Sequence, residues 1–133
     1  MDLIKQKGQK VNVVQDVMHK FKYSFQGFVY CYTHETSFIF ETIGIVFSVV
    51  CGIVCNASLL EWILCIGSLL LIMEVEFLNT AVEATVDMFT KEFHPLAKVA
   101  KDCGSAATCT ATFVAIFINL AIYLPRLIDL IVR

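Results

Sequence analysis

The chain has 133 residues, of which 58% are hydrophobic, and its 10 Lys and Arg against 12 Asp and Glu give a formal net charge of −2. This length fits a single domain, and the absence of a basic block excludes a nucleic-acid partner. So short a chain cannot bury all of its apolar side chains, and the composition therefore predicts a membrane protein. The six cysteines form no C-x-x-C pair, and we interpret them as small apolar residues.

The first two segments of the chain differ sharply in character. Residues 1–16 are polar, and no apolar stretch follows closely enough to make a secretory signal. Residues 17–34 carry apolar side chains at helical spacing, with Lys20 and Lys22 beside them. This pattern predicts an amphipathic helix at a membrane surface, although the segment alone also fits a helix that faces a soluble core.

Three further segments have the apolar, helical pattern of membrane spans: 38–55, 59–88 and 106–124. The second is longer than the roughly 20 residues needed to cross a bilayer, so its last turns should project beyond the hydrocarbon. The polar stretch 89–102 predicts a connection, with Asp102 or Ser105 as the cap of the last helix and Pro125 at its end. The sequence thus predicts an all-α membrane protein of one domain.

The lysines indicate an orientation for these spans. Residues 1–34 contain five lysines and the connection 89–102 contains three, whereas the connection 56–58 has none. Under the positive-inside rule, the N-terminus and the connection 89–102 lie in the cytoplasm. Arg126 and Arg133 then lie on the far side, with Glu61 and Asp129, as interface charges.

The second predicted span ends in a row of polar residues spaced at i, i+3, i+4, i+7 and i+11: Glu76, Asn79, Thr80, Glu83 and Asp87. Helical geometry places them on one face, along roughly 16 Å. Glu35 and Glu41 begin the first span at the same membrane level. Carboxylates at membrane depth indicate function, because burying them is costly.

This arrangement suits phosphoryl transfer to a lipid. Carboxylate oxygens bind Mg²⁺, a partly dry carboxylate can take a proton from an alcohol, and nearby lysines neutralise phosphate. Structural roles remain open: Glu76 and Glu83 as ion-pair partners, and Asn79 and Thr80 as polar contacts between helices. Glu74 lies on the opposite face, where a structural or protomer-contact role is favoured. The chain has no P-loop or protein-kinase motif, so its residues alone do not name ATP.

Two other classes of function compete with a kinase. A small transporter or ion-binding oligomer would also use intramembrane carboxylates, but it needs charges spread across the bilayer, and these cluster at one side. A lipid phosphatase would want a nucleophilic His or Cys arrangement, which His94 and the apolar cysteines support poorly.

The row Glu76-x-x-Asn79-Thr80-Ala81-x-Glu83-x-x-x-Asp87 closely resembles the signature of the prokaryotic diacylglycerol kinase and undecaprenol kinase family. The resemblance runs from about Tyr23 to Ala107. It includes four further features: Tyr23-Ser24-x-x-Gly27, Glu35, His94, and Lys101-Asp102-x-Gly104-Ser105-Ala106-Ala107.

The resemblance implies a homotrimer with one surface helix and three membrane helices per chain, and sites shared between protomers at the cytoplasmic face. It implies that Glu76 is the general base and that Asn79 orients the base or the substrate. It implies further roles for the other motif residues: Glu35 and Glu83 for Mg²⁺, Lys101 for the ATP phosphates, Tyr23, Ser24, His94 and Asp102 around the nucleotide, and Glu41 and Ser105 near the lipid.

Some positions depart from the family pattern. Asp16 stands where the family has an arginine, and Thr90 and Phe93 replace a glycine and a tyrosine near His94. These departures lie among the residues expected to contact the nucleotide, and not among the carboxylates of the motif. The stretch His94-Pro-Leu-Ala-Lys is more similar to the undecaprenol kinase branch, which favours undecaprenol over diacylglycerol as the lipid substrate.

Overall fold

The computed structural model describes residues 13–132, which form four helices and no strand. The helices are α1 (Val13–His34), α2 (Ser37–Val54), α3 (Leu59–Phe89) and α4 (Pro95–Val132). Most of the polar segment 1–16 lies outside the described residues. The chain divides after His34 into two compact units.

The first unit contains α1, which begins at Val13 instead of the predicted 17. Its large apolar side chains face outward: Phe21 is 71% exposed and Phe25 is 68% exposed. Rings one turn apart stack on each other, as in the pair Tyr30 and His34 with centroids 4.2 Å apart. An exposed aromatic surface of this kind fits a helix that lies in a membrane interface.

The second unit contains α2, α3 and α4. A turn joins α2 to α3, and Asn56 adopts the left-handed backbone conformation there (φ 50°), which asparagine tolerates better than most residues. A capping box then starts α3: the Glu61 carboxylate accepts from the Ser58 backbone N–H at 2.8 Å, and the Ser58 hydroxyl accepts from the Glu61 N–H at 3.5 Å.

Helix α4 is longer than the sequence predicted. The predicted connection 89–102 is wrong in its second part, because the helix already begins at Pro95. Neither Asp102 nor Ser105 is therefore a cap. His94 has that role: its Nδ1 accepts from the Leu96 N–H at 3.3 Å and its carbonyl from the Lys98 N–H at 3.0 Å. Proline suits the first helical position because the missing N–H would have no intrahelical partner there.

The predicted end of the last helix is also wrong, because α4 continues past Pro125 to Val132. A proline inside a helix removes one backbone hydrogen bond, which usually bends a helix more than it ends one.

Packing is most extensive between α3 and α4 and next between α2 and α3. Phe38 of α2 is fully buried against Phe77 of α3, with ring centroids 4.7 Å apart. Farther along, Gly52 lies flat on Trp62, since a Cβ at residue 52 would be only 2.6 Å from the indole. Glycine is thus required for this close approach of α2 and α3.

Two helices, Ser37–Val54 and Pro95–Val132, are long and apolar enough to cross a membrane. Among the described residues, α3 is not one of these two helices, and it carries Glu61, Glu74 and Glu76. Large apolar side chains on the outer faces of α2 and α4 are exposed, such as Phe47 at 68% and Phe117 at 74%. All six cysteines are free, and none forms a disulfide.

Candidate active site

Glu76 is a buried carboxylate in the middle of α3, with only 7% of its surface exposed. Its Oε1 accepts a hydrogen bond of 2.5 Å from the Ser37 hydroxyl at the start of α2. Its Oε2 is buried and has no hydrogen-bond partner in the described residues. Buried polar atoms are nearly always satisfied in proteins, so an open carboxylate oxygen marks a place where a proton, a cation or a ligand belongs.

Asn79 lies one turn farther along α3 and faces α4 at close range. A Cβ at Gly104 would overlap the Asn79 Oδ1, so the glycine is what lets the two helices approach here. The amide donates from Nδ2 to Glu83 Oε1 at 3.5 Å, whereas its Oδ1 is buried without a donor among the described residues. Asn79 therefore bonds to Glu83 on the helix face that also carries Glu76, and it offers a second open acceptor.

A cavity of about 290 Å³ opens between α3 and α4 at this point. Glu76, Asn79 and Ser105 line its polar part, and Thr112 and Phe113 continue it toward the apolar part of α4. The structure thus brings together the predicted base and two predicted substrate contacts from two helices. The space can accept an alcohol whose remaining atoms are hydrocarbon.

A second cavity, of about 380 Å³, lies between the end of α3 and the first turns of α4. The predicted nucleotide residues His94, Lys101 and Asp102 all line it, together with Lys91 and Lys98. Because its Nδ1 accepts the Leu96 N–H, a neutral His94 ring carries its proton on Nε2 as a donor. Three carboxylates, Asp87, Glu92 and Asp102, line it too, so the lysines can hold a polyanion such as a nucleotide's phosphates only where phosphate oxygens replace these carboxylates as their partners.

Lys101 and Asp87 form an ion pair of 2.6 Å across this second cavity. Both residues lie on the polar ends of α3 and α4, outside the apolar spans. The hydrogen bond from Lys101 holds the pKa of the Asp87 carboxyl below its usual range, and the same bond raises the pKa of Lys101. The pair is thus charged at neutral pH. Asp102 pairs with Lys98, one turn away on the exposed side of α4.

Glu83 stands between the two cavities. It accepts from Asn79, which lines the first cavity, and its charge acts on Lys101, which lines the second. A half-buried carboxylate at this point fits a cation that links the two sites, because Mg²⁺ is usually held by one or two carboxylates and the substrate's phosphates.

The remaining predicted residues lie farther from these contacts or in the other unit. Glu41 of α2 is half-buried with an unpartnered Oε2 and lies within electrostatic range of Glu76. Glu35, which follows α1 in the chain and precedes α2, is half-buried. Within residues 13–132 no group of three or more His, Cys, Asp or Glu can hold a metal ion. Tyr23 and Ser24 are exposed on α1, in the first unit, and their nucleotide role stays a prediction.

Sequence reasoning missed Ser37, although a signal was available. Ser37 precedes Glu41 by one helical turn, so the two share a face of α2, and a polar residue on the face that carries a carboxylate was a candidate. Sequence reasoning also noted Gly104 only as part of a motif, and did not predict that this glycine allows α4 to approach Asn79.

Comparison with known proteins assigns the class. Residues 22–123 match the family model for prokaryotic diacylglycerol kinase. The chain is 38% identical over 96 residues to undecaprenol kinase of Bacillus subtilis (strain 168), which covers 70% of this chain and 76% of that protein. It is 37% identical over 94 residues to diacylglycerol kinase of Escherichia coli (strain K12), covering 71% and 77%.

A third relative, diacylglycerol kinase of Pseudomonas aeruginosa, is 40% identical over 89 residues, covering 67% of this chain and 72% of that protein. With its all-helical fold, its membrane-length helices and these relatives, the protein is a membrane lipid kinase. The chain belongs to the prokaryotic diacylglycerol kinase family, as the resemblance of its motifs predicted.

Proposed function

We propose that the protein transfers the γ-phosphate of ATP to the hydroxyl of undecaprenol, in a Mg²⁺-dependent reaction at the cytoplasmic face of the cell membrane. The observation that carries this proposal is the pair of adjoining cavities. One presents a buried carboxylate to an apolar groove, and the other presents lysines to solvent. Diacylglycerol is the alternative lipid.

Glu76 is the proposed general base. Its open Oε2 takes the proton of the lipid hydroxyl while the hydroxyl oxygen attacks the γ-phosphorus. The bond between the γ-phosphorus and the oxygen that bridges it to the β-phosphate breaks, and ADP leaves with the electron pair of that bond. Asn79 orients the lipid hydroxyl or the base, and Ser105 lines the same cavity as a lipid contact.

Lys101, His94 and Asp102 are the proposed nucleotide contacts, with Tyr23 and Ser24 completing the site. Glu83 and Glu35 would hold Mg²⁺, which supplies charge neutralisation of the phosphates when it is bound. The donor set fits this ion: Glu83 offers carboxylate oxygen, and the buried Asn79 Oδ1 beside it is an oxygen acceptor without a donor. Lys101 is drawn away from Asp87 toward phosphate as the nucleotide binds.

The proposed assembly is a homotrimer of multi-pass chains, as the resemblance of the motifs to the family implies. Glu35 and Glu83 then come from one protomer or from two neighbours. The N-terminus and both cavities face the cytoplasm, since the lysines around the second cavity follow the positive-inside rule.

Two observations favour undecaprenol as the lipid. The stretch His94-Pro-Leu-Ala-Lys is similar to the undecaprenol kinase branch, whereas the relatives themselves are balanced, at 38% identity for an undecaprenol kinase and at 37% and 40% for two diacylglycerol kinases. In addition, the first cavity has its polar groups at one end and Phe113 at the other. An isoprenoid alcohol has one hydroxyl on a hydrocarbon chain and so needs a single polar contact point.

The test is a phosphorylation assay on purified protein in mixed micelles, with Mg-ATP and either undecaprenol or diacylglycerol, and with Glu76→Gln beside the wild type. We expect phosphate on undecaprenol at the higher kcat/KM, and a rate with the variant that is lower by roughly 10²- to 10⁴-fold. A clear preference for diacylglycerol would overturn the lipid assignment. Transfer by Glu76→Gln at the wild-type rate would overturn the base.

A further inference from the structure

Within residues 13–132, a hydrogen bond from Ser37 joins the start of α2 to the Glu76 carboxylate. The hydroxyl donates to Glu76 Oε1 at 2.5 Å, between residues 39 positions apart in the chain. This short distance is typical of a hydroxyl that donates to an ionised carboxylate. The contact fixes one oxygen of the carboxylate and leaves Oε2 without a partner.

The Ser37 hydroxyl does not cap its own helix, as a serine at the start of a helix often does. Serines at such positions commonly accept a backbone N–H of the first turn. Here the cap of α2 is Thr36, and no side-chain cap hydrogen bond is present. The serine side chain instead reaches across to α3, so its role is between helices and not within α2.

The neighbouring residues make this contact rigid. Phe38, directly after Ser37, is fully buried against Phe77, directly after Glu76, with ring centroids 4.7 Å apart. The aromatic pair holds the start of α2 against the middle of α3 at the same level as the hydrogen bond. Ser37 therefore approaches Glu76 from a fixed backbone, as a preorganised contact requires.

We propose that Ser37 is a positioning residue for the kinase reaction: its hydroxyl holds Glu76 Oε1, so that Oε2 is the oxygen that faces the lipid alcohol. This inference rests on the proposed role of Glu76 as the base. A glutamate side chain has three rotatable bonds, and a carboxylate without Ser37 would sample rotamers in which neither oxygen faces the cavity. The hydroxyl also supplies a hydrogen bond to a carboxylate that is itself buried.

Ser37→Ala is the test, with Ser37→Thr as the conservative variant and Ser48→Ala as the matched control. Ser48 is also a buried serine of α2 that bonds to another helix, since its hydroxyl donates to Asn119 Oδ1 at 2.7 Å. We expect Ser37→Ala to lower kcat roughly ten- to hundredfold at an unchanged KM for the nucleotide, the loss typical of a hydrogen bond to a charged group. Ser37→Thr, which keeps the hydroxyl, should restore most of kcat. Ser48→Ala should lower thermal stability and leave kcat unchanged.

The outcomes separate this inference from the proposed function. Wild-type kcat in Ser37→Ala, with Glu76→Gln inactive, would overturn the role of Ser37 alone. Equal losses of kcat and stability in Ser37→Ala and Ser37→Thr would overturn it too, because they indicate a packing role. Wild-type activity in Glu76→Gln would overturn both the base and its positioning residue. A selective kcat loss in Ser37→Ala that threonine restores supports the proposal.

Discussion

Two polar clusters lie in the unit formed by α2, α3 and α4, and they differ in how well their hydrogen bonds are satisfied. In the carboxylate cluster, defined by Glu41, Glu76 and Asn79, each residue has a buried oxygen without a donor. In the interior cluster around Asn119 of α4, both the oxygen and the nitrogen of the side-chain amide have hydrogen-bond partners. Its Oδ1 accepts from Ser48 at 2.7 Å, and its Nδ2 donates to the Ala115 carbonyl at 2.9 Å.

The far end of the bundle resembles the interior cluster. Arg126 forms an ion pair with Glu61 and donates to the Cys55 carbonyl at 3.3 Å. The guanidinium therefore has both an opposite charge and a hydrogen-bond acceptor beside it. The interior cluster has one open group of its own, the buried hydroxyl of Tyr123, which is neutral. Satisfied polar groups thus hold the helices together, whereas open acceptor oxygens concentrate where we propose that the chemistry occurs.

The largest effect is expected at Glu76. Glu76→Gln keeps the shape and can still accept from Ser37, but an amide takes no proton, so kcat should fall by roughly 10²- to 10⁴-fold. The midpoint of thermal unfolding should stay at the wild-type value or rise, because a buried, incompletely satisfied carboxylate is removed. A lipid phosphorylation assay measures the effect on kcat, and a thermal unfolding experiment measures the effect on stability. A variant that lost activity only because it unfolded would place Glu76 with the structural contacts.

The next effect is expected at Glu83. Glu83→Gln should raise the Mg²⁺ concentration needed for half-maximal rate by roughly tenfold or more, because a neutral amide binds a hard cation weakly. The matched control is Glu74→Gln, which removes an exposed carboxylate from the same helix. The measurement is rate against Mg²⁺ at fixed ATP. Identical curves for Glu83→Gln and the wild type would remove this residue from the metal site.

A smaller effect, and on stability alone, is expected in the interior cluster. Asn119→Ala removes the amide that joins α4 to Ser48 of α2, and should cost about 1 to 2 kcal/mol of unfolding free energy. Denaturant titration in mixed micelles measures it, with kcat under stabilising conditions as the control. A tenfold loss of kcat without a loss of stability would contradict the division between the two clusters.

The smallest effect is expected at the Asp87–Lys101 ion pair, whose side chains are partly exposed to solvent. Asp87→Asn releases Lys101 for the nucleotide phosphates, and should lower the KM for ATP roughly two- to fivefold, since exposed ion pairs contribute little. Steady-state rates at low and high salt measure the KM for ATP, and the difference in KM between the variant and the wild type should narrow as salt screens the ion pair. A higher KM would instead mean that Asp87 holds Lys101 in place for the nucleotide.

Local patterns were sufficient for much of the fold. The apolar runs predicted the helices, and the capping residues Ser58 and Glu61 stand where α3 begins. The second part of the connection 89–102 was misjudged because it contains three charged residues, Lys98, Lys101 and Asp102, and follows a proline. A helix that projects into water needs no apolar run, so composition did not separate it from a loop. His94, predicted as a nucleotide residue, proved also to be the cap of α4.

The sequence by itself determined which residues of α3 share a face. The helical repeat alone places Glu76, Asn79 and Glu83 in one row, whatever packs against them. Only the tertiary structure decided what meets that row: the Ser37 hydroxyl on Glu76, Gly104 against Asn79, and Lys101 on Asp87. The reason is physical. Periodicity within a helix follows from local backbone geometry, whereas contacts between helices depend on how deeply side chains along the whole interface interlock.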